Sequence, residues 1–276
     1  MRVAMEVFTS RNDWKSAAAG ASNLSQLELT LGAVAMAVED AEQAVTYADR
    51  SGDAFQRMGK RTTLADALHW AGRRAEAEAL FREVEAMQAE CQPAYPLLYS
   101  LPGFRYCDLL LAEAEQGAWE AMQNSEFRIQ NSAPEKTCRV VSERAAQTLK
   151  WAIAAKGSLL SIALDHLTLG RASQLDDLPG GLLTRAWQRS LTGAHTSPES
   201  AQSDLNEAWE ISERGPMPLF LADIHLHRAR LFHAVKPYPW ESPHEDLAQA
   251  RRLIEKHGYW RRKGELEDAE AAASNY

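Results

Sequence analysis

The chain has 276 residues, 45% hydrophobic and 25% charged, with a formal net charge of −8. That composition excludes disordered and fibrous classes, and the acidic balance argues against a general affinity for nucleic-acid backbones, which needs clustered Lys and Arg. Cys91, Cys107 and Cys138 stand far apart without a CxxC pair, so neither a disulfide framework nor a zinc site is indicated. Glu6 comes early, no apolar leader follows it, and no segment approaches the roughly 18 apolar residues of a membrane span. The reading is a cytoplasmic protein that engages neither nucleic acid nor membrane.

Val3, Met5, Val7 and Phe8 make an apolar start. It reads as a leading helix, the second half of a hairpin whose first half is missing, and predicts either pairing of copies or fraying at the N-terminal end. The clearest unit follows at Arg61 to Val84. Leu64, Ala65 and Leu68 share one face of a first helix, Gly72 breaks it, and Ala77, Phe81 and Val84 share one face of a second. The two alanines let the backbones approach while Leu64, Leu68 and Phe81 fill the space around them. Asn23 to Gly32 aligns under Thr63 to Gly72, with Ala37, Ala41 and Ala44 beneath Ala77, Phe81 and Val84.

Further turn glycines at Gly117, Gly157 and Gly193 extend a loose period of about 40 residues. Hairpins are expected at 13–51, 54–91, 96–132, 140–173, 180–214 and 217–257, with a capping helix at 259–273. Breakers between them include Gly52-Asp53, Pro93, Pro134, Pro179-Gly180-Gly181 and Gly215-Pro216. Prolines at 96 and 102 should start or kink the third hairpin, and Pro237 to Pro243 lengthens the sixth turn into an exposed aromatic loop.

Such a hairpin cannot bury its outer apolar face alone and needs neighbours. Leu64, Ala65, Leu68, Ala77 and Phe81 fall at the intervals of the tetratricopeptide repeat, which this chain resembles, although Arg61 stands for its Trp and Leu68 for its Tyr. Tyr47 to Met58, Leu98 to Leu111 and Ala248 to Tyr259 are similar to the C-terminal repeat arrays of bacterial signalling NTPases of the NACHT and STAND type. The resemblance implies an all-α, right-handed superhelical solenoid of antiparallel hairpins forming one domain over 1–276. It also implies a non-catalytic scaffold, a sensor or adaptor that binds a protein or peptide on its concave face. The alternative it implies is a ligand-sensing arm of a signalling NTPase; no GxxxxGK[ST] phosphate loop occurs in this chain, so that module lies elsewhere.

In that family the fifth, ninth and twelfth repeat positions line the groove. Carried over, they give Thr62, Asp66 and His69 in the second hairpin, Gln26 in the first, Gln147 and Trp151 in the fourth and Trp187 in the fifth, with Arg105 beside the third. A groove of mixed polar and aromatic character would suit an extended or helical peptide. The stacked Lys, Asn and Arg of a carboxylate clamp are missing.

Other constellations read as structural. Asp223 and His227 stand one helical turn apart, but His225 points away from both and His233 lies beyond. Arg251, Arg252, Lys256, Arg261, Arg262 and Lys263 are interleaved with acids and read as a solvated helix face. Cys107 lies near Arg105 and Asp108, yet a Cys on an apolar helix face is usually inert packing. With no HExxH or GxSxG motif, no catalytic, cofactor-binding or metal-binding residue is assigned.

Overall fold

The computed structural model describes residues 1–123, 132–177, 186, 189–190, 193–195 and 200–273. Among them are twelve α-helices and no strand, which makes the protein all-α. They are α1 (Arg2–Ser10), α2 (Trp14–Thr30), α3 (Val34–Ser51), α4 (Ala54–Trp70), α5 (Arg74–Cys91), α6 (Ser100–Gln123), α7 (Ser132–Ala154) and α8 (Leu159–Asp177), then α9 (Ala201–Arg214), α10 (Pro218–Phe232), α11 (Pro243–His257) and α12 (Lys263–Ala273). A 3₁₀ turn at Trp260–Arg262 precedes α12. No described helix is long and apolar enough to cross a membrane.

Local chemistry sets the ends. Asp13 and Asp53 accept the backbone N–H of Ser16 and Gln56 and so cap α2 and α4, and Ser200 caps α9 through Ser203 in the same way. At the close of α2, Gly32 at φ 77 donates to Leu29 O while Ala33 donates to Glu28 O. Gly72 at φ 75 repeats this with His69 O and Arg73 with Leu68 O. The same pair of bonds recurs at Lys156/Gly157 and at Gly193/Ala194. This is the Schellman closure, which needs one left-handed residue and gives the last carbonyls a donor. At the third of these turns the left-handed residue is Lys156, φ 50, rather than the adjacent glycine.

Gly117 corrects the expected period. α6 runs unbroken from Ser100 to Gln123 across it, so the turn anticipated at Gly117 within the 96–132 hairpin does not form. A lone mid-helix glycine costs only about 1 kcal/mol against Ala, and its neighbours Glu115, Gln116 and Ala118 are good helix formers. Proline 102 sits in the first turn of α6, where its missing N–H is harmless. The fourth hairpin is α7 with α8, beginning at Ser132 rather than residue 140. Of the fifth, α9 is described, while the segment expected to precede it lies largely outside the described residues.

Where the sequence predicts one domain, contacts group the chain into two compact units: Met1–Leu109 with His257–Arg261, and Leu110–Lys256 with Arg262–Tyr276. In the first, α2 packs on α3, with Ala21 and Ala44 in one buried cluster, and Ala17, Ala18, Ala37 and Ala41 are fully buried as well, small side chains that permit close approach of helices. Phe81 of α5 stacks on Tyr106 of α6 at 5.0 Å. α1 is pinned by Arg2, whose Nη2 reaches Glu28 at 3.0 Å and Asp40 at 2.9 Å. α4 is enclosed on every side: Thr62 to His69 are eight consecutive buried residues.

In the second unit the core gathers Leu205, Ile224, Leu231 and Phe232. The loop between α10 and α11, expected to be exposed, is folded down. Trp240 packs edge-on to Phe232 at 5.0 Å and Tyr238 lies against Trp240 at 5.5 Å. Apolar ring area and a waiting Phe face explain the difference.

Candidate functional site

In the first unit α4 presents Asp66, His69 and Trp70 along one side, three and four residues apart as neighbours on a helix must be. α6 brings Arg105 and Asp108 against them. Arg105 Nε lies 2.9 Å from Asp66 Oδ2, and its Nη2 donates to Gln26 Oε1 on α2 at 3.2 Å. Beside this pair sits a strap formed by residues 257–261. His257 Nδ1 is 2.9 Å from Gly32 O, Tyr259 stacks on Trp70 at 5.2 Å, and both terminal nitrogens of Arg261 donate to Asp108 at 2.6 and 3.0 Å. The Arg261 guanidinium also lies 5.8 Å from the Trp70 ring centroid. Gly72 leaves room for the strap, since a Cβ there would come within 2.8 Å of Trp260 Cβ.

The charges cancel: two carboxylates, Asp66 and Asp108, face two guanidiniums, Arg105 and Arg261. Burial raises the Asp66 carboxyl above its usual range, with Arg105 opposing. His69 Nε2 stands 3.5 Å from Asp108 Oδ2, yet burial and the Arg261 charge hold the imidazole down to about 4. It is neutral at physiological pH. The arrangement can hold a short segment by three devices at once, a carbonyl contact, a ring stack and a bidentate ion pair.

The structure thus brings Gln26, Asp66, His69 and Arg105 to one place but corrects their setting. Thr62, Asp66 and His69 are only 3%, 8% and 3% exposed and do not line an open groove. Thr62 turns back to donate to Gly59 O at 2.7 Å. Gln147 and Trp151 belong to the second unit, half-buried on α7, and Trp187 lies outside the described residues. The repeat register picked the inward side of α4; an inward side is open only where nothing fills it, and here α6 and the strap do. Asp108, His257, Tyr259 and Arg261 were missed. Their signal was a charged residue within an otherwise apolar stretch, Asp108 before Leu109-Leu110-Leu111, with no acid inside the Tyr259-Trp260-Arg261 run.

The basic run is also corrected. Arg251 is exposed and pairs with Glu255 and Glu270, as a solvated face would have it. Arg261 and Arg262, with side chains 7% and 13% exposed, are interior. In the second unit Arg262 binds Asp223 at 2.9 Å and Glu265 at 2.8 Å, while Arg171 binds Glu115. Asp223 is therefore engaged by a guanidinium. His227 Nδ1 meets the Asp223 backbone carbonyl at 2.8 Å, and burial holds this histidine down to about 3. His225 turns to Asp246, Nδ1 to Oδ1 at 2.6 Å. Among the described residues no group of three His, Cys, Asp or Glu is placed to hold a metal ion. Cys107 and Cys138 are buried thiols and Cys91 is exposed.

Comparison with family models, with curated proteins and with solved structures gives no match for this chain.

Proposed function

We propose that this chain is a non-catalytic, cytoplasmic scaffold of helical repeats, a superhelical array of tetratricopeptide type, that binds protein or peptide segments. The Schellman closure repeated at Gly32, Gly72, Lys156 and Gly193 supports the repeat reading. The observation that carries the binding reading is the strap. Residues 257–261 lie on α2, α4 and α6 through His257, Tyr259 and Arg261, in the manner of a short aromatic and basic ligand. The partner class is therefore a segment carrying an aromatic residue two positions before an arginine. In this conformation the chain's own strap occupies the position.

The test uses the full chain with Tyr259→Ala and Arg261→Ala together, which removes from the chain's own strap both the ring stack on Trp70 and the ion pair to Asp108. A synthetic peptide with the sequence of residues 257–261 should bind saturably and raise the melting temperature of that variant. The same peptide with alanine for its arginine should do neither. Equal behaviour of the two peptides, or no binding by a folded variant, would sink the reading.

A further inference from the structure

The folded-down loop of the second unit encloses a guanidinium that the fold leaves unused. Arg228 on α10 is 7% exposed. Its Cζ lies 4.3 Å from the ring centroid of Trp209 on α9 and 4.6 Å from that of Trp240 in the loop. Two indoles therefore lie against this one guanidinium. Stacking satisfies the faces of a guanidinium but not its edge, where five N–H donors lie in the plane. No hydrogen bond or ion pair joins Arg228 to a described residue, and its Nε is buried without an acceptor. Buried donors are ordinarily satisfied, and each one left bare costs free energy.

The carboxylate next to it does not fill the gap. Asp246 is already held on both oxygens, by His225 Nδ1 at 2.6 Å on Oδ1 and by the Tyr238 hydroxyl on Oδ2. Trp240 is fixed in turn, its Nε1 donating to Asn206 Oδ1 at 3.1 Å. Two indoles, a loop tyrosine and an asparagine thus hold one arginine in place without giving its edge an acceptor.

We infer that Arg228 anchors a carboxylate-binding site walled by Trp209 and Trp240, which takes a free carboxylate of a peptide, either a C-terminus or an acidic side chain. With two indoles packed against it and its Nε without an acceptor, the guanidinium has its N–H edge left to offer an incoming group. A planar, singly charged carboxylate matches that fork with two parallel hydrogen bonds. A phosphate dianion would bring a second negative charge beside Asp246 and is disfavoured. This site lies in the second unit and stands independently of the strap position.

The experiment is nitrogen-detected NMR on the full chain labelled at arginine, with the Arg228 Nε–H resonance assigned by its loss in Arg228→Lys. N-acetylglycine represents a C-terminus, N-acetylglutamate N-methylamide a side chain, and N-acetylglycinamide and inorganic phosphate serve as comparisons. We expect a saturable shift with at least one carboxylate, about tenfold weaker or absent with the amide and with phosphate. Whichever carboxylate binds more tightly identifies the source. The Trp209 and Trp240 indole signals should respond in the wild type and not in Arg228→Lys, which keeps the charge but loses the fork. Because the first readout is on the unaltered protein, a misfolded variant does not decide the result. An unsaturated shift, equal responses to amide and carboxylate, or tighter binding of phosphate would overturn the inference.

Discussion

Asp108 on α6 receives both terminal nitrogens of Arg261, a residue 153 positions later in the chain, at 2.6 and 3.0 Å. With side chains 15% and 7% exposed, neither partner can turn to water when the other is removed.

Truncating either member should therefore destabilise the first unit strongly. Asp108→Ala and Arg261→Ala are each expected to lower stability by about 3 kcal/mol, because each strands a buried charge. The double variant should lose less than the sum of the singles. Urea unfolding of the four proteins in the cycle provides the measurement, and additive losses would mean that the pair is not coupled.

Acid should weaken the fold through His69. Its folded value of about 4 lies below the ordinary 6.5. As pH falls from 6.5 toward 4 the unfolded chain takes up a proton that the folded chain refuses, so stability falls across that window. His227, held at about 3, has the same sign. His69→Gln should flatten the acid limb by about 1–3 kcal/mol in melting curves recorded from pH 7 to 4.

Glu28 acts in the opposite sense. Burial and the Asp40 carboxylate push it up to about 7 from an ordinary 4.5, with Arg2 opposing. The folded chain keeps a proton that the unfolded chain has lost, so this contribution disappears as pH rises from 4.5 to 7. Glu28→Gln should raise stability at pH 8 by about 1–2 kcal/mol and leave it little changed at pH 4. The pH dependence of the variant separates this from a packing effect.

Gly72→Ala should release the strap. The position combines a left-handed φ of 75 with a Cβ that would meet Trp260 Cβ at 2.8 Å. We expect a loss of about 1–2 kcal/mol or more. Amide exchange at residues 257–261 should accelerate, whereas Gly52→Ala, also left-handed but with nothing near its Cβ, should leave the strap protected.

The N-terminal helix offers a simpler test. α1 turns Met5 inward and leaves Val3 72% and Val7 42% exposed. Mass by light scattering should rise with concentration for the wild type and stay constant for Val3→Lys with Val7→Lys. The substitutions should alter stability by no more than about 0.5 kcal/mol, since both residues face water.

Much of the fold was legible because its signals are local. The Gly52-Asp53 breaker, the turn residues Gly32 and Gly72, and the spacing of Ala37, Ala41 and Ala44 on α3 act within a few residues. Gly117 misled because a glycine ends a helix there only if the backbone turns into the left-handed region, and α6 runs through Gly117 without doing so. The site was half legible. Helical period placed Asp66 and His69 on the inward side of α4, but exposure there depends on residues 257–261, which no local pattern connects to α4. Arg228 was invisible for the same reason. Its walls come from Trp209 and Trp240, on either side of it in sequence and joined only by the fold.

The strap also sets an order of events during synthesis. Asp108 leaves the ribosome 153 residues ahead of Arg261, roughly 8 to 30 s earlier at ordinary elongation rates. Through that interval the nascent first unit has Asp66 and Arg105 available to each other, while Asp108 still waits for Arg261 and the Trp70 ring for Tyr259. A growing chain thus carries an open aromatic and acidic surface that a mature one does not. Any chaperone or early partner that recognises this surface meets it only before residue 261 emerges.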